Sequence, residues 1–279
     1  MLKINDLAFS YSGNNCKVFN DFSLEFEKGA VYGLLGKNGT GKSTLLYLIT
    51  GLLHPQQGTV LFKGEEVRRR LPSTLSDMYI VPEEFELPSM TMKQYVKLNA
   101  PFYPNFSEEQ LKQNLSLFDF DENIHLGNLS MGQKKKAYMC FALAANTSLL
   151  VMDEPTNGLD IPSKSEFRRL IASNMTDEKT IIISTHQVRD IDSLLDHIVI
   201  IDRSSVLLNA SSDEICRRLL FAEQPISEPT DGAIFVQPSV SGNSVILPNA
   251  YDEESRLNLE LLFNGVLAER EKFLALFNA

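Results

Sequence analysis

Gly36-Lys37-Asn38-Gly39-Thr40-Gly41-Lys42-Ser43-Thr44 is the stretch whose reading decides the fold. It fits the phosphate-loop pattern G-x-x-x-x-G-K-[ST] (Walker A) without substitution. An apolar, strand-like run from Val31 to Leu35 precedes it, and a helix-like run from Ser43 to Thr50 follows. Strand, loop and helix in that order is the context the pattern requires. The glycines let backbone N–H groups point inward around phosphate oxygens, where a Cβ would block the approach. Lys42 then reads as a point charge for the β- and γ-phosphates, and the Ser43 hydroxyl as a ligand of Mg²⁺. A glycine-rich turn joining a strand to a helix is the competing reading. Two correct flanks favour a nucleoside-triphosphate site.

The 279 residues, 43% of them apolar, suit one large domain, or one of about 220 residues with a small appendage. No apolar run reaches the roughly 18 residues that a bilayer-spanning helix needs. The start, Met1-Leu2-Lys3-Ile4-Asn5-Asp6, lacks a signal-peptide layout, so the chain is expected in the cytosol. Cys16, Cys140 and Cys216 stand singly with no C-x-x-C spacing, as small apolar groups in a reducing compartment would. A net charge of −10 argues against nucleic acid and against direct adhesion to anionic lipid. Contact with a membrane would run through another protein.

The first segment alternates as half-buried strands do: Leu2-Ile4-Leu7-Phe9, Val18-Phe19, then Phe22-Leu24-Phe26. Asn20-Asp21 and Lys28-Gly29 punctuate it, which predicts antiparallel strands. Apolar runs of the buried parallel type follow at 31–35, 78–82, 149–152 and 180–183, separated by helical stretches. The expected class is α/β, a doubly wound and mostly parallel sheet beside an antiparallel β subdomain. Between Glu83 and Gly127 the strand signal stops. Helix starts near Thr91 and at Ser107-Glu108-Glu109-Gln110, an S-x-x-Q capping box, predict a helical subdomain inserted at about 84–147. The main domain is expected over 1–222, and the polar, Pro-broken run from Glu223 to Gly232 reads as a linker. Two short strands, Ala233–Gln237 and Ser244–Leu247, flank a turn at Ser241-Gly242-Asn243. A helical tail from about Asp252 to Phe277 completes a small α+β appendage over 233–279. Gly265 is expected to break or bend that tail.

A second landmark is Leu149-Leu150-Val151-Met152-Asp153-Glu154-Pro155, a buried strand ending in paired carboxylates, the Walker B layout. Asp153 reads as the holder of the Mg²⁺ shell, and Glu154 as the group that polarises the attacking water or takes its proton. Such a pair also serves as a turn or helix cap, but beside a phosphate loop the metal-and-water reading is favoured. The third landmark is Leu129-Ser130-Met131-Gly132-Gln133, 20 residues ahead of Asp153. Ser130 and Gln133 form a capping box opening a helix to about Asn146, whose N-terminal N–H groups and partial positive charge suit an anion.

That third stretch resembles the L-S-G-G-Q signature of the ABC ATPases, and the match extends in the expected order. Thr156-Asn157-Gly158-Leu159-Asp160 resembles the D-loop, His186 the switch histidine, and Tyr11 the aromatic residue that stacks on adenine. The resemblance covers roughly residues 1–220. It implies a P-loop ABC ATPase fold with ATP and Mg²⁺ as ligands. Residues Gly36 to Thr44, Tyr11, Ser130, Gly132, Gln133 and Asp160 would contact ATP, and Glu154 and His186 would be catalytic. Ser43, Asp153 and Glu83 would serve the metal. The signature end would face a γ-phosphate held by a second ATPase subunit. Two departures stand out: Met131 replaces the first signature glycine, and Glu83 occupies the place of the Q-loop glutamine. A carboxylate there can ligate Mg²⁺ more strongly than an amide while adding charge beside phosphates. Lys134-Lys135-Lys136 reads as a solvated helix face, and His54, His125 and His197 have no ligand-like spacing.

The resemblance therefore implies the nucleotide-binding subunit of an ABC transporter, hydrolysing ATP and driving a separate membrane permease from the cytoplasmic face. The chain itself would neither insert in the membrane nor bind nucleic acid. Ser89 to Tyr95 followed by Pro101-Phe102-Tyr103-Pro104 resembles bacterial exporter-type subunits. The alternative is a soluble ABC-type ATPase acting on the ribosome or on DNA-repair machinery. The first would normally carry two ATPase units, and the second a long heptad insertion that is missing between Gly36 and Asn128. A kinase or GTPase would not need residues 129–133 or His186.

Overall fold

The computed structural model describes residues 1–12, 17–240, 242–251 and 253–277. Cys16, the turn residue Ser241 and Asp252, the expected start of the tail helix, lie outside them. Strands β1 (Leu2–Phe9) and β2 (Phe19–Phe26) lead to β3 (Val31–Leu35) and helix α1 (Lys42–Ile49). Next come β4 (Gln57–Phe62), β5 (Glu65–Glu66), α2 (Pro72–Leu75) and β6 (Met78–Val81). Helices α3 (Met92–Asn99), α4 (Glu108–Ser116) and α5 (Met131–Ala144) follow without a strand between them. The chain then alternates through β7 (Leu149–Asp153), α6 (Ile161–Ser173), β8 (Thr180–Thr185), β9 (His197–Asp202), β10 (Ser205–Ser211) and α7 (Ser212–Arg218). It closes with β11 (Leu219–Gln224), β12 (Phe235–Ser239), β13 (Gly242–Pro248), α8 (Leu259–Ala268) and α9 (Arg270–Phe277).

Three sheets result. The antiparallel sheet has the order β2-β1-β4-β5, and the central sheet the order β10-β9-β3-β8-β7-β6. All central pairings are parallel except β9 with β10. Side chains on successive strand positions point to opposite faces, and β3 shows the consequence. Tyr32 and Leu34 join the core that packs α1 between the central and antiparallel sheets. Val31 and Leu35 join the core on the other face, built with α5 and α6. The loop between β3 and α1 thus emerges at the C-terminal edge of the sheet, where ligands of open α/β folds bind.

The helical insertion packs on that second core through Phe141 of α5. Tyr95 lies 5.0 Å from its ring, and Tyr79 of β6 lies 6.0 Å away. Thr91 and Gln94 form a full capping box at α3. At α4 only half the expected box forms: Ser107 Oγ accepts from Gln110 N, while the Gln110 side chain donates to Asn174 Oδ1. A tertiary partner outcompetes the local one.

The C-terminal segment differs from its expected outline in three respects. The strand crossing position 222 is β11, which pairs along its length with β13, so the third sheet starts at Leu219. The tail is two helices with a break at Glu269, and residues 253–258 are not helical. Helix α8 runs through Gly265, whose carbonyl accepts from Glu269 N at 2.8 Å. A Cβ there would lie 3.0 Å from Ile246 and 3.2 Å from Phe235. The glycine therefore serves a close approach of helix to sheet. Leu259, Leu262, Val266 and Phe273 are buried in the same core as α5 and α6.

Candidate nucleotide-binding site

Three glycines shape the loop after β3, each for a different reason. A Cβ on Gly36 would lie 2.6 Å from Thr40 Oγ1 and 2.7 Å from Ile201 O, so no side chain fits. Gly39 has φ +79 and Gly41 φ +99, the left-handed region that favours glycine. Nothing lies within 4 Å of a Cβ on Gly39, which leaves that side of the loop open. Helix α1 starts immediately afterwards with no side-chain cap on its first turn. Its leading N–H groups and dipole therefore remain available to an anion.

Lys42 is 7% exposed and folds back over the loop, donating to Gly36 O at 2.8 Å and Lys37 O at 3.3 Å. Its Nζ lies 4.0 Å from Glu154 Oε1. Burial pulls the ammonium below the usual lysine range, and Glu154, Asp153 and Glu83 oppose that shift. Thr40 turns inward, its hydroxyl donating to Lys37 O at 2.8 Å.

The carboxylates arrive on the neighbouring strands. Asp153 closes β7, is 1% exposed and accepts from Ser184 Oγ of β8. Glu154 follows with φ 44, a left-handed backbone unusual for a non-glycine residue. Its carboxylate accepts from Thr185 Oγ1 at 3.0 Å and His186 N at 3.1 Å. His186 Nδ1 lies 2.7 Å from Glu154 Oε1. An ionised carboxylate only accepts, so Nδ1 carries the proton in that contact. Ser43, Asp153 and Glu83 supply only oxygen donors, which is the set that suits Mg²⁺.

One cleft of about 630 Å³ takes in Tyr11, the loop and first turn of α1, Glu83, Glu154 and His186. Of the loop, Asn38, Gly39, Gly41, Lys42, Ser43 and Thr44 line it; Gly36, Lys37 and Thr40 do not, and take part in the loop's internal hydrogen bonds. Tyr11 remains 44% exposed, with its hydroxyl 3.0 Å from Thr44 Oγ1 and its ring edge-on to Phe9. Glu83 accepts from Asn157 Nδ2 at 2.9 Å.

Ser130, Gly132, Gln133 and Asp160 do not reach this cleft. Ser130 and Gln133 form the full capping box of α5, and the neighbouring Met131 is 64% exposed. Gly132 lies near the Gly158–Leu159 turn. Asp160 caps α6, accepting from Ser163 N at 2.9 Å, and the hydrogen bonds from Ser163 pull its carboxyl below the usual range. Capping accounts for Asp160 within its own chain.

Four contributors were not picked out from the sequence: Asn157, Ser184, Thr185 and Lys135. The expectation that 134–136 is a solvated face is wrong at Lys135, which is 5% exposed. Its amine donates to Glu154 O at 3.2 Å and Asn157 O at 3.0 Å. Helical phase does not single it out, because α5 is buried on every face from Met139 to Ala144 and all three lysines stand one turn before buried residues. Lys136 pairs with Glu166 at 2.9 Å and lies over the Phe118 ring.

Residues 19–157 match the family model described as ABC transporter. The lantibiotic transport ATP-binding protein SrtF of Streptococcus pyogenes is 31% identical over 224 residues, covering 76% of this chain and 92% of SrtF. The ABC transporter ATP-binding protein YtrB of Bacillus subtilis is 29% identical over 216 residues, 77% of this chain and 73% of YtrB. The solved structure of CbiO1 from Clostridium perfringens, part of the ABC transporter complex CbiONQ, superposes with a TM-score of 0.64 at 26% identity. That match covers 77% of this chain and 89% of CbiO1. The fold and the phosphate-loop cleft define a P-loop ATPase. The chain belongs to the ATP-binding subunits of ABC transporters and is an ATPase of that family. Among the described residues, no helix is long and apolar enough to cross a membrane.

Proposed function

We propose that this chain hydrolyses ATP in the Tyr11–His186 cleft to energise a separate membrane permease, from the cytoplasmic face and in the direction of export. The loop N–H groups, Lys42 and the start of α1 bind the phosphates, and Tyr11 stacks on the adenine. Ser43, Asp153 and Glu83 would hold Mg²⁺, which would supply charge neutralisation at the phosphate oxygens. Glu154 takes a proton from the attacking water, and His186, held to Glu154 through Nδ1, contacts the γ-phosphate. The observation that carries this reading is the Glu154 carboxylate, 5% exposed and set between Lys42 and His186.

A second ATPase subunit completes the site. The α5 end bearing Ser130, Gly132 and Gln133 stands outside its own cleft, exposed at Ser130 and Gln133, and is suited to a γ-phosphate held by that partner. Asp160 approaches the same nucleotide from the partner's side. The C-terminal segment, 233–279 as read from the sequence together with β11, forms an appendage that packs through α8 and α9 on β10 of its own chain and steadies this assembly. Glu154→Gln tests the scheme, because an amide cannot take the proton. It should bind ATP normally, lose about 10²–10⁴-fold in hydrolysis, and accumulate an ATP-bound dimer in light scattering. A variant that hydrolyses ATP normally, or stays monomeric with ATP, overturns the scheme.

A further inference from the structure

We propose that Lys135 is a positioning residue for Glu154: its buried ammonium locks the backbone turn that aims the carboxylate into the cleft, and so ties the signature helix to the hydrolytic centre. The proposal rests on the assignment of Glu154 as the residue that activates water.

Glu154 sits at φ 44, a conformation that L-residues adopt only when their surroundings impose it. The constraints are visible on both sides of the residue. Its N–H donates to Ser184 O at 3.1 Å, which fixes the strand side. Its carbonyl accepts from Asn157 N at 3.2 Å and from Lys135 Nζ at 3.2 Å, which fixes the turn side. The same ammonium donates to Asn157 O at 3.0 Å. One cation therefore clamps both ends of the Glu154–Asn157 turn. Asn157 in turn donates from its side chain to Glu83.

Lys135 does not line the nucleotide cleft; it borders a neighbouring cavity with Met131 and Gly158. It leaves α5 just beyond the Ser130–Gln133 capping box. A small shift of that helix end is thus delivered to the Glu154 backbone through one side chain. A charged donor makes hydrogen bonds roughly twice as strong as a neutral one. Among the described residues no carboxylate lies within ion-pair distance of Lys135, although Glu83, Glu154 and Asp153 act on it through space; hydrogen bonds to two carbonyls fit a clamp rather than an ion pair.

The test compares K135M, K135Q and K135R with wild type. K135M keeps the stem and removes both donors. It should lower kcat about 10-fold or more and leave KM for ATP within 2-fold, since Lys135 touches no nucleotide. Its melting temperature should fall by a few degrees, because Glu154 O and Asn157 O each lose a buried donor, so kcat and KM are read well below the transition. K135R keeps the donors and should recover a measurable part of kcat. If K135M does not fold, K135Q, with a shorter and uncharged N–H₂ donor, should show an intermediate kcat at unchanged KM. In an E154Q background, K135M should lower the residual rate less than 2-fold, because the group it positions is already disabled. Three results overturn the proposal: kcat within 2-fold of wild type, a raised KM at unchanged kcat, or losses that multiply in E154Q. If E154Q alone hydrolyses ATP normally, the assignment of Glu154 fails first. An inactive E154Q with a fully active K135M sinks only the clamp.

Discussion

Two regions of this chain carry phosphate-recognising chemistry, and their own chain treats them differently. In the cleft, Lys42, Asp153 and Glu154 are 7%, 1% and 5% exposed, and each is held by named hydrogen bonds from the loop, β8 or His186. At the start of α5, the side chains of Ser130 and Gln133 bond to each other's backbone, and Met131 is 64% exposed. The cleft is pre-organised, with the desolvation of its charges already accomplished by folding. The α5 end is a capped helix start exposed at Ser130 and Gln133, outside the cleft of its own chain, and its use as an anion site belongs to the proposed function. Binding should therefore belong to one region and the hydrolytic step to both.

Lys42→Ala attacks the first region and should have the largest effect. Removing the side-chain charge of a pre-organised anion site typically costs about 10²–10³-fold. ATP binding to the isolated chain, followed by calorimetry, should fall by about that factor, and hydrolysis with it. Near-normal turnover would mean that the cleft is not the site.

Ser130→Ala attacks the second region. Hydrolysis should fall about 10-fold or more, because an oxyanion contact is lost, while ATP binding by the isolated chain stays within about 2-fold. Loss of the cap should also lower stability by about 1 kcal/mol. Equal losses of binding and turnover would break the comparison, placing both regions at one site of one chain.

What was legible in the sequence follows the range of the interactions involved. The phosphate loop, the carboxylates after β7 and the Ser130–Gln133 box depend on residues a few positions apart, and the expected pattern and the structure agree. Four of the five parallel strands, β3, β6, β7 and β8, were legible as apolar runs because both faces of the sheet are covered; β9, which pairs with β3, was not picked out although Ile198–Ile201 is just such a run. The other misses are tertiary. Gln110 abandons its box for Asn174, β11 finds β13 across an intervening strand, and Gly265 is required by Ile246 and Phe235 rather than by a bend. Lys135 was misjudged because a run of three lysines was read by composition, while the packing of α5 puts the middle one against Glu154 and Asn157. The left-handed turn at Glu154 leaves no mark in a sequence at all.

A buried cation outside both regions sharpens the comparison by separating stability from activity at alkaline pH. Lys179, 5% exposed and bonded to Asn146 Oδ1 at 3.1 Å, is pushed down by burial to about 8. Its folded pKa lies below the unfolded value, so between the two the unfolded chain binds more protons and stability rises with pH. Tyr95 and Tyr103 act oppositely: burial raises both to about 12. Their contribution is intact below the unfolded tyrosine pKa of roughly 10 and is lost above it. The urea-unfolding stability of wild type minus that of Lys179→Gln should thus grow from about pH 8 to 10, while the raised Cys140 and Cys216 pull the total of both proteins the other way. ATPase activity at pH 7.5 should be unchanged in Lys179→Gln. A difference that stays flat or shrinks over that range would overturn the assignment.

The smallest effect expected belongs to Met131, where the second region departs from the signature pattern. Its thioether projects from the first turn of α5, 64% exposed, so its own chain gains little packing from it. If the α5 end meets a phosphate, a Cβ and a long side chain crowd that approach. Met131→Gly should then leave turnover equal or raise it a few-fold, with ATP binding by the isolated chain unchanged. Glycine in a helix costs at most about 1 kcal/mol relative to alanine, and the capping box on either side of the position limits fraying. A collapse of activity with ATP binding intact would show that Met131 makes a contact across the partner interface, turning the departure from a tolerated obstruction into part of the recognition surface. Activity raised only in combination with Ser130→Ala would break the comparison from the other side, because the two residues would then not be addressing the same anion.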